Sequence, residues 1–138
     1  MEDYVPYPIA LALKKAGFDL KVNHVYDKNG KLWEEGMSEN ADCDYTAYFN
    51  YNKSGYTEVS ASAPTLVLAQ KWLREVKRIE VNASWENIKC YWFFYTNLMD
   101  VSNIVNLEDI SDPVYSTYEQ ALSAGIAAAL ELIEKKGE

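Results

Sequence analysis

Six short runs in this chain alternate apolar and polar residues, and they come in pairs separated by only a few turn-forming residues. Leu20 to Tyr26 precedes Asn29-Gly30, the strongest short hairpin-turn signal, and Leu32-Trp33 begins the return strand. Asp44 to Tyr51 precedes the turn Asn52-Lys53-Ser54-Gly55, and Tyr56 to Ser60 pairs back. Ile79, Val81 and Ala83 precede the turn Trp85-Glu86-Asn87 and then Ile88 to Leu98, the most aromatic run. Strands joined this closely pair antiparallel, because a parallel pair needs a crossover of a dozen residues or more.

Three helical patterns separate the hairpins. Pro8 suits a first helical turn, and Val5, Ile9, Ala12, Leu13 and Ala16 make one apolar stripe. Gly17 falls where a left-handed residue ends a helix, and Phe18 falls where it can fold back on Leu13. Pro64 opens a second helix with the stripe Leu66, Ala69, Trp72, Leu73 and Val76. Ser116 and Glu119 read as a capping box for a third. Its inner stripe is Tyr118, Leu122, Gly125, Ile126, Ala129 and Ile133, and small residues at 121, 124, 125 and 128 allow close approach. Segments 34–44 and 99–115 read as irregular. The order predicts an α+β fold: a mainly antiparallel sheet of five to six strands, with three helices mostly on one face. At 138 residues, without a linker or repeat, residues 1–138 read as a single domain.

The formal net charge of −8 disfavours nucleic acid and anionic membrane as partners, since polyanions repel at long range. The basic residues Lys71, Arg74, Lys77 and Arg78 read as a solvated helix face and C-terminus. Cys43 and Cys90 form no paired motif and read as reduced thiols. The acidic start, Met1-Glu2-Asp3, is followed by no long apolar run, so the expected setting is cytoplasmic. In that setting the sequon Asn82-Ala83-Ser84 is inert.

Known chemistries find few supports here. His24 is the only histidine, so any histidine-dependent nucleophile must use it, and it falls between Val22 and Tyr26 on an inward strand face. One histidine and two separated cysteines do not make a four-ligand zinc site. Asn40, Asp42 and Asp44 begin like a calcium loop, but Tyr45 and Tyr51 stand where glycine and glutamate are needed. No glycine-rich phosphate loop occurs. The carboxylates Glu34, Glu35, Asp100, Glu108, Asp109 and Asp112 read as solvated loop residues. No catalytic residue, metal or cofactor is expected.

The outer face of the sheet is the best candidate for function. Alternation puts Tyr91, Phe93 and Tyr95 on one face of the aromatic run and Tyr48 on a face of the earlier strand. If helices cover one side only, Tyr48, Tyr91, Phe93 and Tyr95 form an exposed aromatic patch, which usually marks a contact site.

Three stretches carry a family resemblance: Ala10-Leu11-Ala12-Leu13-Lys14-Lys15-Ala16-Gly17-Phe18-Asp19, Pro64-Thr65 with Ala69-Gln70-Lys71-Trp72-Leu73-Arg74-Glu75, and Tyr118-Glu119-Gln120-Ala121-Leu122. Together they resemble a family of small Bacteroidales proteins often found in prophage-like or mobile regions. These are helix-face and cap residues, so the resemblance implies a fold and no activity. The function expected first is a non-enzymatic interaction protein using the aromatic face, with a protein partner or itself as a homodimer. A small-ligand binder or enzyme with a pocket of Trp33, Trp72, Trp92 and loop carboxylates is the second. An acidic mimic of nucleic acid, acting against host defence, is the third.

Overall fold

A computed structural model describes residues 3–34, 50–53, 59–87, 91–98, 109–110 and 115–136. Packing divides the chain into two compact units, Met1–Thr65 and Leu66–Glu138. The described residues form three helices and six strands, and the strands divide into two antiparallel three-stranded sheets. The α+β class and antiparallel pairing stand. The single sheet of five to six strands is not seen among the described strands.

The first unit holds helix α1 (Tyr7–Ala16) and strands β1 (His24–Asp27), β2 (Leu32–Glu34) and β3 (Val59–Ser62), in the order β2-β1-β3. Pro8 lies in the first turn of α1, where its missing N–H leaves nothing unpaired. Gly17, at φ +99°, ends the helix. The Phe18 N–H donates to Leu13 O at 2.9 Å and the Gly17 N–H to Lys14 O at 3.1 Å, the two bonds of a Schellman motif. Phe18 and Leu13 are both buried, as that motif requires. Ala10 joins Ile9 and Leu13 in the buried stripe, while Ala12 is half-buried.

The β1–β2 hairpin is built on Asp27. Its N–H donates to Lys31 O at 3.0 Å, and the Gly30 N–H donates to Asp27 O at 3.0 Å. Gly30 has φ +80°, which makes a three-residue loop with a left-handed glycine in place of a two-residue Asn-Gly turn. A Cβ at Gly30 would also come within 3.0 Å of the Tyr7 ring.

On its other side β1 pairs with β3, and the register slips between Tyr26 and Asp27, leaving Ser60 as an extra residue. Helix α1 engages that bulge. Tyr7 Oη and Ser60 Oγ share a hydrogen bond at 2.8 Å, and Lys14 Nζ donates to Ser60 O at 2.8 Å. Tyr26, packed on Tyr7, donates its hydroxyl to Val5 O. Asn52 lies in a turn and ties three parts together: its Nδ2 donates to Phe18 O, and its Oδ1 accepts from the Ser62 N–H. Tyr51, expected to end a strand, lies in that turn with its ring buried.

The second unit holds α2 (Leu66–Glu75), β4 (Ile79–Glu86), β5 (Tyr91–Leu98), β6 (Asp109–Ile110) and α3 (Tyr118–Lys136). Its sheet runs β4-β5-β6. β4 and β5 pair over eight residues each, from Ile79 opposite Leu98 to Glu86 opposite Tyr91. Trp85 and Glu86, expected in the turn, therefore extend the strand. β6 was expected to be irregular, and its two residues pair with Tyr95 and Thr96.

Helix α3 packs on β4 and β5, and α2 packs on β4 and α3. Alternation then sets the inner face: Ile79, Val81, Phe94 and Thr96 are buried there with Leu122, Ile126 and Ala129 of α3. Gly125 permits the approach, since a Cβ at that position would stand 2.8 Å from Val81 Cγ1 and 3.0 Å from Phe94 Cβ. Trp72 of α2 is the largest fully buried side chain among the described residues. Val76 ends outside the helix and 55% exposed, so the α2 stripe stops at Leu73. Gln70 Nε2 donates to Val81 O at 2.6 Å and so covers the outer edge of β4.

Candidate functional site

The sheet of the second unit carries aromatic rings on both faces. On the face turned away from α3 stand Phe93 and Tyr95, ring centroids 6.5 Å apart and both half-buried. Across β4 they face Ser84 and Asn82, so the aromatic row lies beside a polar one. Asn82 Nδ2 in turn donates to Glu80 Oε1 at 2.9 Å. Tyr91 opens β5 opposite Glu86 and is described by its backbone alone. Tyr48 lies outside the described residues, as do Cys43, Cys90 and the calcium-like Asn40, Asp42 and Asp44. Of the four residues, the structure brings Phe93 and Tyr95 together on one face.

The other face carries a cluster that strand alternation alone did not reveal. Trp85 and Trp92 are opposite each other in the β4–β5 register, with ring centroids 5.3 Å apart at 61°. Tyr118 also meets Trp92, with ring centroids 5.4 Å apart at 80°. Three local features align these rings. The long register brings Trp85 to Trp92. A two-bond bridge joins Trp92 to Tyr115, with N–H to O distances of 3.0 and 2.9 Å. Thr117 then caps α3, its Oγ1 accepting from the Gln120 N–H at 3.1 Å, while Gln120 Oε1 accepts from the Ser116 N–H at 3.2 Å. The capping pair is therefore Thr117 and Gln120, one residue beyond the expected Ser116 and Glu119, and Tyr118 becomes the first helical residue. Trp85 is 43% exposed and Tyr118 36%. The T-x-x-Q spacing and the cross-strand tryptophans were the signals available in the sequence.

The tryptophans of the expected pocket have separate roles. Trp33 lies in the first unit, with its Nε1–H donating to Asp27 Oδ2 at 2.8 Å and Lys31 Nζ 4.2 Å above its ring. The Asp27 carboxylate also accepts the N–H groups of Asn29 and Lys31. The Lys31 N–H and the Trp33 indole hold its pKa below the usual carboxylate value. Trp72 is buried in the second unit, and the half-buried Trp92 packs with Trp85 and Tyr118. Burial raises the Tyr26 hydroxyl above its ordinary value.

His24 is half-buried and stacks on Tyr4 with centroids 4.1 Å apart. Its Nδ1 lies 2.8 Å from Asn23 Oδ1, and since an amide oxygen only accepts, the ring nitrogen carries the proton. Among the described residues no group of three His, Cys, Asp or Glu side chains is placed to hold a metal. No described helix is long and apolar enough to cross a membrane.

Comparison with protein-family models, with curated proteins and with solved structures returns no match for this chain.

Proposed function

We propose that the chain is an interaction protein that works through the aromatic sheet of its second unit and carries no chemistry of its own. The supporting observation is the pair Phe93 and Tyr95, side by side on the sheet face that α3 does not cover. Rings in such a position lose contact with water when a flat partner docks, and each aromatic side chain buries on the order of 150–250 Å². At about 25 cal/mol per Å² a few rings supply several kcal/mol before the costs of association. A second copy of the chain is the first partner to test, because two-fold pairing of one surface with itself is the commonest assembly. The setting we propose is a mobile element or its bacterial host, in line with the resemblance of the helix faces to the Bacteroidales family.

Sedimentation velocity over a wide concentration range tests this reading. The wild-type chain is expected to self-associate, and a Phe93→Ser, Tyr95→Ser variant to remain monomeric with an unchanged circular dichroism spectrum. A wild type that stays monomeric at the highest concentration removes the homodimer and leaves only a different protein as partner. Equal association of both proteins removes this face from the reading.

A further inference from the structure

We infer that Asn29-Gly30 is a site of spontaneous covalent modification, at which Asn29 is converted to aspartate and isoaspartate, and that the folded hairpin holds the reaction back. The inference stands apart from the reading of the aromatic sheet. Asn29 is exposed, and no other asparagine of the chain precedes a glycine. That pairing has a chemical consequence besides turn formation. The backbone nitrogen after an asparagine can attack the side-chain amide carbon, and a glycine, lacking Cβ, leaves the approach open. The Gly30 nitrogen forms a bond to Asn29 Cγ, the Cγ–Nδ2 bond breaks, and the Gly30 proton leaves with the amide as ammonia. The product is a five-membered succinimide. Water then opens the ring at either carbonyl. One opening gives aspartate in an unchanged main chain. The other gives isoaspartate, with one methylene added to the main chain.

The fold engages the attacking nitrogen. The Gly30 N–H donates to Asp27 O at 3.0 Å, which closes a β-turn over Lys28 and Asn29. Neither residue has a positive φ, so the turn is of type I. Such a turn sets ψ of its second central residue, here Asn29, at about 0°. The Gly30 nitrogen is then turned away from the Cβ side of Asn29. Ring closure has to rotate it round, and that rotation breaks its bond to Asp27 O.

The Asp27 carboxylate opposes the rotation. It accepts the Asn29 N–H at 2.8 Å and the Lys31 N–H at 3.0 Å, one on each side of Gly30. The Tyr7 ring also lies against Gly30, since a Cβ there would stand 3.0 Å from it. Modification therefore needs a local opening of the hairpin, and its rate follows that opening. Isoaspartate lengthens the loop, so the modified hairpin no longer matches the bonds that Asp27 makes across it.

The test incubates the full-length chain at neutral pH and follows the proteolytic peptide that holds Asn29 by mass spectrometry. Deamidation adds one mass unit, and isoaspartate elutes apart from aspartate. Conversion at Asn29 is expected to be about tenfold or more faster in guanidinium chloride than in the folded chain, the effect of one net hydrogen bond. In folded Asp27→Ala it should rise several-fold above the wild type, with the near-ultraviolet circular dichroism spectrum showing that the rest of the fold is kept. The wild-type comparison needs no variant, so it decides the matter even where Asp27→Ala fails to fold. Equal rates in the folded and unfolded wild type overturn the inference, since the hairpin would then guard nothing. So does an unfolded chain in which Asn29 converts no faster than the other asparagines. A folded Asp27→Ala that converts at the wild-type rate overturns the part assigned to the carboxylate.

Discussion

Gly125 and Thr96 show how narrowly the inner face of the second sheet is filled. Alanine is the better helix former by about 1 kcal/mol, so in an open helix Gly125→Ala would stabilise. Here the added Cβ would stand 2.8 Å from Val81 Cγ1 and 3.0 Å from Phe94 Cβ, and the latter is a rigid atom close to the backbone. Overpacking typically costs about 1–3 kcal/mol, so the net effect is destabilising and the melting temperature of Gly125→Ala should fall by a few degrees. Thr96 presents the opposite case. Its side chain is fully buried, and its Oγ1 has no hydrogen-bond partner among the described residues. Thr96→Val keeps the shape and removes a desolvated hydroxyl, so it should raise stability by about 1 kcal/mol in urea titration. A lower midpoint for Thr96→Val would mean that the hydroxyl is bonded in solution.

At the scale of the element, the β1–β2 hairpin is held by a carboxylate as well as by its ladder. Asp27 accepts the Asn29 and Lys31 N–H groups at 2.8 and 3.0 Å and the Trp33 indole at 2.8 Å. Its pKa is lowered chiefly by the Lys31 N–H and then by Trp33. A depressed folded value contributes stability that is complete above the unfolded carboxylate value of about 3.9 and is lost as pH falls through the folded value. In an acid titration the Asn29 and Lys31 amides and the Trp33 indole N–H should therefore move together, with a midpoint below about 3.9. A midpoint at or above that value, or three unrelated midpoints, would show that Asp27 does not fasten the turn. Asp27→Asn should abolish the shared transition. Helix α1 ends by another local device, the Schellman bonds at Gly17, and Gly17→Ala should loosen it because φ +99° strains any side chain.

Across the whole molecule, charge opposes the self-association proposed for the aromatic surface. Two copies at −8 repel, and the repulsion is screened over about 10 Å at 0.1 M salt. Self-association through the Phe93–Tyr95 face should therefore strengthen as salt rises, which sedimentation at low and moderate salt checks. Association that weakens with added salt would show that charged contacts and not this face hold the copies together.

Local signals alone determined much of this chain. Pro8, Gly17 and Phe18 mark the bounds of α1, because capping is settled by neighbours within a few residues. Asn29-Gly30 marks a hairpin, and the 3.6-residue stripes locate α2 and α3. Alternation places Phe93 and Tyr95 on one side of β5, where their rings stand 6.5 Å apart. Other features depended on tertiary structure. Two sheets rather than one appear among the described strands, since strand partners are chosen by long-range packing and not by the alternating pattern itself. The extension of β4 through Trp85 and Glu86 depends on the eight-residue register with β5. The Trp85–Trp92–Tyr118 row needs that register, the Tyr115 bridge and the Thr117 cap together. Each is weak as a sequence signal, and only the packed α3 brings Tyr118, twenty-six positions along the chain, against Trp92.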